Sequence, residues 1–474
     1  MLRSVSILLF GNASVSLLTL VRNLVIARLI TVEDYGIAAT FAIAMAVVEM
    51  MSAIGLEQQI VQSRKGDDPD FQAALQGFTV MRGLASCLLL VLTAGLLADF
   101  LGVPDLAWAY QVMALVPLIR AFSHFDNHRY KRNMRFSPML WTQGGGAVAA
   151  VLVVWPAWAI WPDFRVMMIS LLVQVAVVAA MSHILAERAY RLRIDTGVWR
   201  GSLDFGWPLL INNFLLFAVM HGEKLVAGRE LGLEALGILA MGLTLTMTPT
   251  LILARSIQDF FLPQLSAAQD DDAAFQALSE VTIQAMLAMT LLYLLGMVLV
   301  AGPVVMLLLG EKYAVLVPLM IWLAIQQGIR VFRSAADMIA LGRGQTSNPM
   351  IANSVRVASL PVAWWVAASG GGLEGVIAVA IVGETIGTLT SLAMIRIRLG
   401  IVLRTLALPL LASGVVLVLM AGLAWRATAD IAGTFAPLAH PVETALVVAA
   451  ILLALVVQRQ LWRYVARRKV TIRP

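Results

Sequence analysis

Residues 21–39, VRNLVIARLITVEDYGIAA, return 201 positions later as residues 222–240, GEKLVAGRELGLEALGILA. Without gaps, Leu24, Val25, Arg28, Glu33, Gly36, Ile37 and Ala39 fall on Leu225, Val226, Arg229, Glu234, Gly237, Ile238 and Ala240. Coincident Leu, Val, Ile and Ala mean little in apolar segments, but coincident Arg, Glu and Gly mean more. The same shift sets Asn12 on Asn213. A repeat of this length predicts one supersecondary unit built twice within the chain.

The surrounding composition says where such a unit folds. The chain has 474 residues, 60% hydrophobic and 13% charged, with a mean hydropathy of +0.86. Soluble domains carry about 25% charged residues, so the chain reads as a polytopic all-α membrane protein. Fourteen apolar segments are legible, near 4–30, 34–60, 70–98, 105–123, 138–160, 165–186, 203–227, 233–256, 279–309, 314–340, 350–369, 373–395, 403–425 and 441–462, most of them near the roughly 20 residues a spanning helix needs. The first is too long for a signal peptide and lacks a small-residue cleavage site. The single Cys87 excludes a disulfide framework.

Sorting Lys and Arg by loop tests this count. With the N-terminus in the cytoplasm, 24 fall on the cytoplasmic side, 6 on the outer side, and Arg22, Arg82, Arg330 and Arg356 lie inside spans. That bias follows the positive-inside rule and puts both termini in the cytoplasm. The formal charge of +6 therefore reports orientation rather than a nucleic-acid partner. The most basic loop, SHFDNHRYKRNMRFSP at 123–138, is expected to face lipid headgroups. His124 and His128 within it lack the carboxylate or cysteine partners of a metal site.

A repeat offset of six helices keeps both copies in one orientation, the parallel-repeat arrangement of many transporters. The expected organisation is an N-lobe at 1–200, a C-lobe at 201–400, and a final helix pair with a basic tail at 401–474. Substrate sites in such proteins lie near the repeat interface. On the first helix Gly11, Asn12, Ser16, Thr19, Arg22 and Asn23 share an arc of about 140°. The seventh helix places Asn212, Asn213, Glu223 and Lys224 on the corresponding arc, with Glu223 equivalent to Arg22. A polar stripe in a membrane helix faces protein or a water-filled cavity. Arg22 is thus read either as a cation lining a path for an anionic substrate or as the partner of Glu223. Arg333 and Asp337, four apart, are expected to pair along their helix. Glu49 and Glu384 have no partner on their own helices and join Glu223 as candidates for H⁺ or Na⁺ coupling. Arg82 and Arg356 are expected to line the cavity or pair with these carboxylates. No nucleophile–base pair, metal spacing or phosphate-binding glycine loop is present, so no catalytic role is assigned.

Several segments resemble the polysaccharide transporters, the Wzx-type O-antigen and exopolysaccharide flippases. ARLITVEDYGIAATFAIAMAVVEMMSAIGLEQQIVQ, residues 27–62, is similar to their pattern AR-L-x-P-x-D-[FY]-G followed by G-L-x-x-x-[IL]-V-Q, with Val32 where that pattern has proline. FFLPQLSAAQDDDAAFQ at 260–276, LLGEKYAVLVPLMIWLA at 308–324 and ALGRGQTS at 340–347 resemble later segments in the same order. The resemblance implies two six-helix lobes in a V, as in the multidrug/oligosaccharidyl-lipid/polysaccharide exporters, with two further helices. It implies an undecaprenyl-diphosphate-linked oligosaccharide as substrate, moved across the bacterial inner membrane for lipopolysaccharide or exopolysaccharide biosynthesis, beside a polysaccharide polymerase. First-helix arginines line a cationic cavity in that family, and Arg22 is the matching residue. Arg356, Lys224 and the amides of Asn12, Asn23, Asn212 and Asn213 complete the expected diphosphate- and sugar-binding set. Glu223 departs from a purely cationic chamber. A cation-coupled multidrug exporter would share the fold but prefer carboxylates to arginines. A membrane polymerase or ligase would need a larger outer loop.

Overall fold

The computed structural model describes residues 2–52, 56–133, 135–345, 347–429 and 439–471. All regular structure among the described residues is helical, and each of the fourteen expected segments falls on helix. We label them α1 (Leu2–Leu29), α2 (Val32–Ser52), α3 (Pro69–Phe100), α4 (Pro104–Ala121), α5 (Ser137–Ile160), α6 (Arg165–Ile184), α7 (Thr196–Val226), α8 (Leu233–Ala267), α9 (Asp272–Leu308), α10 (Leu316–Gly342), α11 (Ser347–Val357, resuming as Leu360–Ala368), α12 (Gly372–Leu399), α13 (Ala407–Ala429) and α14 (Pro441–Val456). Short helices Leu56–Gln62 and Asp126–Arg132 and a terminal helix Arg459–Thr471 flank them.

Among the described residues, seven of these helices are long and apolar enough to cross a membrane, or nine if two bent pairs each count as one span. Part of the shortfall from fourteen has local causes. α10 carries Gln326, Gln327, Arg330 and Arg333 in mid-helix, which lowers its apolarity. α11 is interrupted after Val357, with Pro361 in the first turn of the resumed helix, where its missing N–H costs nothing. The last expected segment ends at Val456, and its continuation from Arg459 bends away by 55°.

The repeat is visible in the helix boundaries. α2 begins at Val32 and α8 at Leu233, 201 residues later. Ahead of α8, α7 runs into a π-turn at Ala227–Leu231 and stops at Gly232, whose φ of +90° favours glycine. The two copies touch through their shared glycines. A Cβ on Gly36 would lie 1.9 Å from the carbonyl oxygen of Leu233, and one on Gly237 would lie 2.3 Å from that of Val32. Each glycine thus admits the first residue of the other copy's helix. Capping repeats too. Asp68 accepts from the Asp70 amide ahead of α3, and Asp271 from the amides of Ala273 and Ala274 ahead of α9.

Two compact units divide the chain, Met1–Gly237 and Ile238–Pro474. In the first, Phe41 of α2, Tyr110 and Met113 of α4, and Phe164 and Met168 by α6 form a buried core. Phe41 meets the Tyr110 ring edge-on at 5.4 Å, and the Tyr110 hydroxyl is satisfied by Thr40 at 2.6 Å. In the second, α10 is the central helix, buried along most of its length between α9 and α12. The α13–α14 pair packs Val416, Met420, Leu423, Val447 and Ile451 onto Leu291, Leu294, Ile321 and Ile325 of α9 and α10. Outward positions such as Leu92, Leu96, Leu307, Ile397 and Val418 stay exposed. That is the reversed polarity expected where the solvent is hydrocarbon.

Candidate functional site

The first unit holds the Arg22 arrangement. Arg22, only 6% exposed, lies in the sixth turn of α1. Its Nη1 donates to Gln174 Oε1 on α6 at 2.6 Å, while Nε and Nη2 donate to Asn23 Oδ1 at 3.2 and 3.1 Å. α1 is held beside α5, and α5 against α6, where Gly146 makes room for Val178 and Gln174. This layer carries Gln174 to the guanidinium. Glu223 is buried on α7 but is not a partner of Arg22. The arginine is therefore oriented by neutral amide oxygens, and among the described residues no ion pair cancels its positive charge. Thr19, on the same stripe, turns its hydroxyl back to the Val15 carbonyl at 2.9 Å. Asn23, Asn213 and Lys224 are half-buried, and the side chains of Asn12, Asn212 and Glu49 lie outside the described residues.

The second unit holds a cluster drawn from three helices. Glu384 of α12 is 3% exposed. Its Oε1 accepts from Arg330 Nε and Nη2 of α10, each at 2.7 Å, and from Arg356 Nη2 of α11. Arg333 Nε stands 4.0 Å from Glu384 Oε2, and Arg333 Nη1 donates to Asp337 Oδ2 at 2.7 Å, the expected i,i+4 pair. Asn353 Oδ1 accepts from Arg356 Nη1 at 2.9 Å. Gly383 and Gly387 explain the close approach: a Cβ at Gly387 would lie 2.5 Å from Arg356 Cγ, and one at Gly383 2.5 Å from Ser359 Oγ. Three guanidiniums face two carboxylates, leaving one excess positive charge. A carboxylate with no partner on its own helix thus finds two on neighbours. Gln174, Arg330 and Asn353 belong to these constellations without having been picked from the sequence as site residues. Gln174 carries no charge and Asn353 only continues the α11 helix, so neither gave a signal. Arg330 did, as an intramembrane cation.

The basic loop is tied into the protein by ion pairs and hydrogen bonds. Asp126 is fully buried, and its carboxylate accepts four hydrogen bonds: Oδ1 from Gln72 Nε2 (3.0 Å) and Arg129 Nε (2.9 Å), Oδ2 from the amides of Glu187 and Arg188 (2.9 Å each). Burial alone would raise its pKa, but Arg129, Gln72 and the Arg188 amide outweigh burial and hold it at about 2. Arg129 and Arg135 both grip Glu187, at 2.8 and 2.7 Å. Arg132 pairs with Asp67 at 2.9 Å and donates to the carbonyls of Val61 and Ser63. Arg129 and Arg132, both half-buried, and the exposed Arg135 are thus paired with carboxylates of the chain itself, Asp67 ahead of α3, Asp126 between α4 and α5, and Glu187 after α6.

Comparison with known proteins places the chain. The family model described as "Polysaccharide biosynthesis protein" matches residues 25–318. The chain belongs to this family. It is 21% identical over 305 residues to the lipopolysaccharide biosynthesis protein WzxC of Escherichia coli (strain K12), covering 64% of this chain and 62% of that protein. It is 20% identical over 309 residues to the succinoglycan biosynthesis transport protein ExoT of Rhizobium meliloti (strain 1021), with the same coverages. The chain thus spans somewhat under two thirds of the curated relatives it matches. Among solved structures, the lipid II flippase MurJ in an inward closed conformation superposes with a TM-score of 0.72 at 13% identity, covering 96% of this chain and 98% of MurJ. An inward-facing multidrug resistance MATE transporter of the MOP superfamily gives 0.67 at 13% identity, over 81% and 94%. At such identity these likenesses establish the fold, a multi-pass, all-α membrane architecture.

Proposed function

We propose that this polysaccharide biosynthesis protein is a flippase that moves an undecaprenyl-diphosphate-linked oligosaccharide across a bacterial inner membrane by alternating access, both termini lying in the cytoplasm. The reading takes the chain as an N-lobe at 1–200, a C-lobe at 201–400 and an accessory segment at 401–474, and as a transporter rather than an enzyme. The observation that carries it is Arg22, a buried membrane cation held by Gln174 and Asn23 with no ion pair among the described residues. A guanidinium so placed is oriented but not neutralised, which suits a diphosphate that arrives carrying its own charge. Asn12, Asn23, Asn212, Asn213 and Lys224 supply further polar partners for head group and sugar on this reading. Glu384, already shared by two arginines, acts as their counter-ion rather than as a cation carrier. That weighs against a multidrug exporter built on free carboxylates, and leaves Glu49 and Glu223 as the coupling candidates.

Deletion of the gene tests the reading: lipid-linked oligosaccharide accumulates facing the cytoplasm if the protein flips it. Normal polymer with altered drug tolerance would sink the proposal. Arg22→Ala should insert into the membrane at wild-type level yet fail to restore polymer export, and normal export by this variant would reduce Arg22 to a structural role.

A further inference from the structure

At the end of the first unit where the basic loop lies, a cavity of about 220 Å³ opens between three segments. Its floor is one face of the first turns of α3, made by Pro69, Gln72, Ala73 and Gln76. His124 forms one wall, and Arg188, Ala189 and Arg191 from the strap between α6 and α7 form the other. A single water needs only ~10–15 Å³ by this kind of measure, so the space admits a larger occupant.

The polar atoms around it are unequal. Both glutamines are spent: Gln72 bonds Asp126 and Arg188, and Gln76 bonds the Ser123 carbonyl and the Phe125 amide. Arg188 uses Nη1 on Gln72 and Nη2 on the Asp67 carbonyl, leaving Nε. Arg191 makes no hydrogen bond or ion pair with the described residues, and no carboxylate lines the cavity. His124 is 2% exposed, its ring edge-on to His183 at 5.5 Å and tilted against Tyr190 at 5.7 Å. The Asp126 amide donates to His124 Nδ1 at 3.1 Å, so the proton of the neutral ring sits on Nε2. That Nε2 is buried and makes no hydrogen bond of good geometry with the described residues, although the Arg188 backbone lies near the ring. A buried donor left unmade is costly. With Nδ1 turned back to the chain, Nε2 is the ring nitrogen available to an occupant.

We propose that this cavity binds a phosphate-class oxyanion, the head-group phosphate of an anionic lipid or free phosphate, gripped by Arg188 and Arg191 and oriented by His124 Nε2. Guanidinium groups match the oxygen geometry of phosphate, and a neutral imidazole adds a directional donor. The site is separate from Arg22 and does not depend on the transport reading.

The test uses the purified full-length protein in two arms. In detergent, inorganic phosphate is titrated against chloride at matched ionic strength and thermal unfolding is followed. In nanodiscs, phosphatidylglycerol is compared with phosphatidylcholine. Protection by phosphate identifies free anion as the occupant, and protection by phosphatidylglycerol alone identifies a lipid head group. In either case Arg191→Gln should weaken the effect about tenfold, the loss of roughly one charge-assisted bond. His124→Phe, which keeps the ring packing and removes both nitrogens, should weaken it as well. Should His124→Phe fail to fold, Arg191→Gln decides alone, since Arg191 is exposed and holds no other described residue. The proposal is overturned if neither probe protects beyond its control, or if Arg191→Gln responds as wild type.

Discussion

Glu384→Gln isolates what the three-helix cluster does for the second unit. The carboxylate accepts from Arg330 twice and from Arg356 once, all away from water. The variant keeps one oxygen acceptor but turns an amide NH₂ toward guanidiniums, and the local excess rises from one positive charge to two. Removing one partner of a buried ion pair costs about 3–5 kcal/mol, because the remaining charge stays desolvated. α10 is the central helix of the unit, so this cost should appear as global destabilisation rather than local fraying. Denaturant titration in detergent, followed by tryptophan fluorescence, reads it as an earlier midpoint. The companion Glu384→Gln/Arg356→Gln restores the original excess charge and should recover part of the loss. A coupling of about 1.5 kcal/mol or more between the two sites is expected for groups in one network. If Glu384→Gln unfolds with wild type, or the two losses simply add, the cluster does not stabilise the unit as argued.

The glycine contact predicts that Gly36→Ala costs about 1–3 kcal/mol, the usual penalty of overpacking, because the clashing atom is the Leu233 backbone oxygen and not a side chain that can rotate away. Gly95→Ala, with nothing within 4 Å, is the control, and matched midpoints would refute the contact. Asp126 has a folded pKa near 2 against an ordinary value of 3.8, so its contribution is complete above about pH 4 and disappears as pH falls through 2. It amounts to about 2 kcal/mol at neutral pH, and Asp126→Asn should remove that portion of the acid sensitivity of unfolding. An unchanged pH profile in Asp126→Asn would show that other groups account for it.

The fourteen segments and the repeat were legible because apolar length and an ungapped match are properties of adjacent residues. So was Arg333–Asp337, which lies on one helix face. The Glu384 cluster was not, because its members come from α10, α11 and α12, 28 and 54 positions apart. A single-helix projection shows such a carboxylate as solitary. The ion pairs of the basic loop were hidden for the same reason. Asp67, Asp126 and Glu187, which take up its arginines, are scattered over 121 residues. Arg22 stood out as a charge in an apolar helix, but Gln174, which orients it, is one uncharged residue 152 positions away.

The reciprocal glycines, both within the first unit, have a consequence for how the two copies of this turn have been free to diverge. At each contact the recognised group is a carbonyl oxygen and the recognising feature is a missing side chain. Neither depends on what the neighbouring residues are. The duplicated turn can therefore replace Asp34 with Ala235 and Tyr35 with Leu236 while the meeting of the copies stays intact. Twelve of the nineteen positions have changed, and both glycines have not. A contact written in backbone alone outlasts the sequence around it.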